Sequence, residues 1–301
     1  MRRVLAASIV ATGWALAAPS LTLAAGDTAP VVKVHDPGAD PKQEVRFHFQ
    51  EGDTQQIQMT MRLTMTQSMG GNDMPAMSMP ALSIPVTSTI VGVDEKGAAF
   101  EMVLGAVSTD AADASPMASM FAGAMKQLEG MKITGVVDDR GQKHDIKVDS
   151  AAASNPQLAG QVASIRNSLT QMTPPLPEEP IGAGATWSYV LDAESNGVAA
   201  QNTTTIKLVH RDANALALKM NIAVHAEPQQ ITSPGMPPGA ELLGMDGKGT
   251  GDSTILLNRL FPSAMEGKTN VKVDIKAKMG QTDMTISQTV DMLIEVEPAK
   301  S

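Results

Sequence analysis

IQMTMRLTMT, residues 57–66, alternates without a break. Ile57, Met59, Met61, Leu63 and Met65 fall at every second position, with Gln58, Thr60, Arg62, Thr64 and Thr66 between them. Successive side chains of a strand point to opposite faces, so this period marks a half-buried β-strand with one apolar side. The same period returns along the chain. Residues 83–93 read as a second strand. A turn at Asp94-Glu95-Lys96-Gly97 leads to a third, with Phe100, Met102, Leu104 and Ala106 on one face. Ile133 and Val137, then Ile146 and Val148, flank a turn at Asp138-Asp139-Arg140-Gly141. Trp187, Tyr189 and Leu191 alternate, as do Leu216, Leu218, Met220, Ile222 and Val224. Two closing strands carry Val271, Val273, Ile275 and Ala277, then Met284, Ile286, Val290, Met292, Ile294 and Val296.

Two stretches change to helical spacing. Ser115 and Pro116 open the first, Met117, Met120, Phe121, Met125 and Leu128 form its stripe, and Gly130 stands at its end. Asn155-Pro156 opens the second, striped by Leu158, Val162, Ile165, Leu169 and Met172. Half-buried antiparallel strands need a covering layer. The expected class is therefore α+β and β-rich: curved antiparallel sheets, as two half-barrel-like repeats, packed on two helices. The expected organisation is a signal peptide at 1–25 and a flexible Pro/Gly-rich leader at 26–42. A strand-rich half with both helices follows at 43–173, a Pro/Gly connector at 174–185, and a second strand-rich half at 186–298.

The halves look alike. Thr87-Ser88-Thr89-Ile90-Val91-Gly92-Val93 matches Thr203-Thr204-Thr205-Ile206-Lys207-Leu208-Val209. At the same offset, Phe100, Met102, Leu104 and Ala106 fall on Leu216, Leu218, Met220 and Ile222. Either the chain is duplicated, or it carries two ordinary hairpins of like pattern.

The N-terminus sets the compartment. Arg2 and Arg3 precede an apolar run from Val4 to Leu16, and small residues surround Ala24 and Ala25. This pattern predicts a secretory signal peptide, cleaved near Ala24 or Ala25, and a periplasmic or secreted protein. The apolar run is short, and Gly13 and Pro19 break it, so a spanning helix is not expected there or in the mature chain. The sequence has no cysteine, which removes disulfides, zinc thiolates and a lipid-modified N-terminal Cys. Without Arg2 and Arg3, 21 basic residues stand against 32 acidic ones, a net of −11. No basic block is present and aromatics make up 3%, so nucleic acid is not an expected partner.

PLPEEPIGAGATW, residues 175–187, resembles a P-x-P-x-x-P-V/I-G-x-G-x-x-W segment of uncharacterised bacterial exported proteins of domain-of-unknown-function families. The layout of leader and two strand-rich halves resembles them as well, and no activity comes with that resemblance. The layout is also similar to periplasmic lipoprotein carriers, whose open half-barrels hold acyl chains. That likeness implies a half-barrel with an apolar ligand.

Catalytic signatures are few. The chain has no G-x-S-x-G and no H-E-x-x-H. His35, His48, His144, His210 and His225 are scattered, and the His210/Asp212 and His225/Glu227 spacings suit surface turns. GKGTGDS at 247–253 lacks the spacing of a phosphate loop. No enzyme and no cofactor are expected. The methionines stand out instead, 21 against eight aromatics. Thioether side chains are flexible and suit promiscuous apolar partners. The expected cavity wall is Met59, Met61, Leu63, Met65, Phe100, Met102, Leu104, Met117, Met120, Leu218 and Met220. Its ligand would be a lipid-like small molecule, or a hydrophobic segment of an envelope protein. The alternative is Cu(I) on Met74, Met77 and Met79 in a Gly/Asn/Pro-rich loop, with Met69 as a fourth ligand, because thioethers select that ion. A structural envelope protein without ligand is the third reading.

Overall fold

A computed structural model describes residues 24–25, 30–109, 126, 129–149, 172–195, 197–231, 239–279 and 282–299. Twelve strands carry the main sheet. Those of the first half are β1 (Val32–Asp36), β2 (Thr54–Met69), β3 (Leu82–Asp94), β4 (Gly97–Leu104), β5 (Lys132–Val137) and β6 (Lys143–Asp149). Those of the second are β7 (Thr186–Ser195), β8 (Val198–Arg211), β9 (Ala215–Ala226), β10 (Glu241–Leu256), β11 (Ala264–Met279) and β12 (Thr282–Pro298). Every pairing is antiparallel. The spatial order is β1-β7-β8-β9-β10-β11-β12-β2-β3-β4-β5-β6. Both halves thus share one sheet, and β12 joins them by pairing with β2 from Ile57 to Met69. Among the described residues, β1 and β6 are the outer edges.

The alternating pattern explains these strands directly. Along β9, Leu216, Leu218, Met220, Val224 and Ala226 are buried, while Lys219, Asn221, Ala223 and His225 between them are exposed. One continuous inner face results, filled by three groups. Ile57, Met59, Ile84, Phe100, Met102 and Ile133 form the first with Phe261. Val45, Phe47, Leu176, Trp187, Leu208 and Leu218 form the second. Val224, Leu242, Met245, Val271 and Val273 form the third, on the longer strands of the second half.

The α+β expectation is corrected to all-β. The described residues build the fold from strands, and three loop segments add to the core on the inner face. Of the two expected helical stretches, only Lys126, Glu129, Gly130 and Met172 belong to the described residues; Met117 and Met120 lie outside them, as do residues 1–23 of the expected signal peptide. The stretch expected to be flexible forms β1 on the edge of β7, and Ala39–Gln43 pairs with Ile181–Ala183.

One end of the sheet is closed by chain. The connector is buried from Met172 to Pro177. Trp187 Nε1 donates to the Pro175 carbonyl at 3.0 Å, and Thr173 Oγ1 to that of Leu260 at 2.6 Å. The Arg46 guanidinium donates to the carbonyls of Pro177 and Glu178 at 3.0 and 2.8 Å. Gln55 and Phe261 exchange hydrogen bonds of 2.9 Å, which holds the loop between β10 and β11 against β2.

The internal repeat is visible in the hydrogen bonds. Ile90 faces Phe100 as Leu208 faces Leu218, and Gly92 faces Ala99 as His210 faces Ala217. Each hairpin bulges at one outward valine, Val91 or Val209, exposed by 51% and 49%. Ala98 faces Val137 as Leu216 faces Ile255. Gly52, at φ +87°, donates to the Ile90 carbonyl, and Gly184, at φ +79°, to that of Leu208. A left-handed backbone favours glycine at both turns. The hairpin partners differ by 118 residues, whereas the matching T-x-T-I motifs differ by 116. The segment before β2 lies between the halves: Phe47 N–H donates to the Asp139 carbonyl and His48 N–H to that of Leu257, again 118 apart.

Candidate functional site

The inner face changes character partway along β2. Ile57 and Met59 are sealed, but Met61, Leu63, Met65, Gln67 and Met69 are half-buried. The change extends sideways. Met61 pairs with Ile294 and Leu63 with Met292 on β12, and these pair with Gly267 and Thr269 on β11. Ile294, Met292, Gly267 and Thr269 are likewise half-buried. Beyond them lie Gly251, opposite Met220, and Gly249, opposite Ile222. This less tightly buried, mostly apolar band of the inner face, the methionine channel, crosses five strands.

Its floor is glycine. G-x-G-x-G at Gly247, Gly249 and Gly251 places three successive inward positions of β10 without a side chain. A Cβ on Gly251 would meet the Met220 methyl at 3.0 Å, and one on Gly249 would meet Lys268 O at 2.9 Å. On Gly267 it would touch only the Met265 methyl, at 3.5 Å. Methionine ends therefore lie over bare backbone. They are the part of the wall that can move, since the thioether chain has three rotatable torsions. Near one end, Gln67 stands opposite Gln288, whose amide donates to the Met65 sulfur.

The expected cavity wall divides. Met61, Leu63 and Met65 line the channel and Met220 borders it. Met59, Phe100, Met102, Leu104 and Leu218 are packed in the core. Met265, Met292, Ile294 and the glycine floor escaped the sequence reading. Period-two glycine within a strand was the available signal, and GKGTGDS is the middle of β10 rather than a loop.

The methionine-rich loop folds back on β2. Asn72–Asp73 pairs with Met69 and Ser68, and Met77–Ser78 with Met65 and Thr64. Met79 N–H donates to the Leu63 carbonyl and Met74 N–H to that of Gln67. Met77 therefore stands directly across from Met65, and Met79 across from Leu63. Met74 lies beyond a register shift and is 48% exposed.

Charged groups sit elsewhere. A groove of about 460 Å³ is lined mainly by outward residues, among them Arg62, Lys248, Lys268, Asn270 and Asp291, and it also reaches Gly249, Thr269 and Met292. Arg62 pairs with Glu295, Lys268 with Glu266, and Asn270 donates to Asp291, as on an ordinary solvated strand face. On β9, exposed His225 donates hydrogen bonds to Asp246 at 2.9 Å and Glu227 at 3.1 Å, which raise its pKa. On edge strand β6, burial lowers half-buried Lys143 to about 7 against the opposing pull of Asp138. Neither His225 nor Lys143 lines the channel.

No family model matches the chain, and no curated protein matches it. Among solved structures it is similar to an outer membrane channel from Pseudomonas putida F1, at 9% identity and a TM-score of 0.24, over 83% of this chain and 97% of that one. It is also similar to a loop-deletion mutant of OmpT, an outer membrane protein of Vibrio cholerae, at 9% identity and a TM-score of 0.19, over 81% and 100%. Likeness at this level carries no functional argument. The class is defined by the fold itself, one antiparallel sheet built from two like halves.

Proposed function

We propose that this chain is an exported, non-enzymatic binding protein of the cell envelope, holding an apolar or amphiphilic, lipid-like ligand along the methionine channel. One observation carries the reading: the inner face is sealed at Met59 and Val296 and again at Val290 and Val271, yet left half-buried at Met61, Leu63, Met65, Met292 and Ile294. Apolar surface kept out of the packed core is the usual mark of a binding groove. The glycine floor gives depth, the mobile thioethers adapt to an alkyl chain, and Gln67 with Gln288 offers a neutral polar end for a head group.

Gly267→Val tests this. The new side chain is placed on the channel floor, its Cβ touches only the mobile Met265 methyl, and valine suits a strand. Binding of a fluorescent long-chain fatty acid should weaken by about tenfold or more while the unfolding midpoint holds. Native mass spectrometry of protein taken from its own envelope should show a lipid-sized adduct. Bare protein together with no fatty-acid binding would refute the proposal and leave a structural envelope protein.

A further inference from the structure

We propose that Met65, Met77 and Met79 form a thioether site for a soft monovalent metal ion, Cu(I) above all. The argument starts from register. Met65 and Met77 are direct cross-strand partners. Met79 is two residues beyond Met77 and faces Leu63, so all three side chains stand on the inner face. Direct partners place their Cβ atoms about 4.5–5.5 Å apart, and diagonal neighbours roughly 7–8 Å. Residues two apart in one strand are separated by about 6.6 Å. Three flexible arms rooted on such a triangle can bring their sulfurs to one point.

The chemistry of the triangle is selective. A neutral set of three thioethers is too soft for Ca(II) or Mg(II) and lacks the nitrogen or thiolate that Zn(II) takes, whereas Cu(I) accepts it. All three residues are half-buried, which shields the ion from bulk water while leaving a path to it. The ligand set differs from the one the sequence indicated. Met74 stands across from Gln67, and the register shift at residues 75 and 76 separates it from Met77, so Met65 takes its place. The site lies at the rim of the channel and holds whether or not a lipid occupies that channel.

The full chain is tested under argon against a chromophoric Cu(I) chelator. Wild type should withdraw one equivalent of the ion. The Met65→Leu/Met77→Leu/Met79→Leu variant, similar in volume and so expected to fold, should lose about a hundredfold in affinity. Met74→Leu should bind as wild type does. Sulfur and Cu(I) bond lengths from X-ray absorption should fit a three-thioether shell. The proposal is overturned if wild type withdraws no copper, if the folded triple variant binds equally well, or if Met74→Leu abolishes binding and Met65→Leu does not. Fatty-acid binding by Met77→Leu/Met79→Leu is measured alongside, so that loss of the metal site and loss of the lipid site are read separately.

Discussion

Replacing Trp187 by Phe separates the connector's hydrogen bond from its packing. Trp187 is fully buried, and its indole N–H is the partner of the Pro175 carbonyl at 3.0 Å. Phenylalanine keeps a ring in the site but leaves that carbonyl without its donor. An unpaired buried acceptor costs about 1–3 kcal/mol. The smaller ring gives up roughly 40 Å² of buried apolar surface, or about 1 kcal/mol at ~25 cal/mol per Å². The expected loss is therefore about 2–4 kcal/mol, enough to move a urea midpoint by about 1 M or more at a slope of ~2–3 kcal/mol per M. Urea unfolding should be followed by far-ultraviolet circular dichroism, because the other tryptophan of the chain is Trp14 in the expected signal peptide. Val190→Ala, on the exposed side of the same strand, is the control and should stay within about 0.5 kcal/mol. A Trp187→Phe loss no larger than the control's would show that the connector is not anchored through the indole.

Two further outcomes concern charge. His225 should titrate above its usual 6.5 in an NMR pH series, and Asp246→Asn with Glu227→Gln should return it to normal. Because the folded value is raised, the contribution to stability is full below the unfolded pKa and fades as pH rises through the folded one. Lys143 should show the opposite slope. Its folded value of about 7 lies below the unfolded one, so the unfolded chain holds the extra proton between them and stability should climb as pH rises from 7 towards 10. Lys143→Met should flatten that climb in urea midpoints taken across the window; an unchanged slope would sink the assignment.

The strands were legible because alternation is a local property. Every apolar set read along Leu216–Val224 or Met284–Val296 faces inward. The repeat was legible in kind but not in alignment. A slip of two residues preserves which face a side chain occupies, so the T-x-T-I motif could pull the match to 116 while the bulges at Val91 and Val209 fix it at 118. The division of the wall was not legible. Met59 and Met61 have the same neighbours in pattern, yet one is sealed in the core and the other only packs against it. Gly70, Gly71, Pro75 and Pro80 read correctly as turn chemistry, yet what they punctuate is a returning arm that brings Met77 to Met65. Cross-strand neighbourhood is set by register, which no single segment encodes.

The seam between β12 and β2 has a consequence for biogenesis. Thirteen residue pairs join the last strand to be made with the first long one, across more than two hundred residues of chain. At about 5–20 residues per second, β2 waits roughly 10–40 s for its partner to be synthesised. Throughout that wait it offers a bare edge and a row of methionines to any other chain. Pairing so distant in sequence is slow to nucleate, because the intervening loop loses its freedom before the contact is rewarded. Assembly of this sheet therefore waits on β12: a nascent or truncated chain lacking it is a sheet with its middle missing, and a client for whatever holds unfolded polypeptides apart.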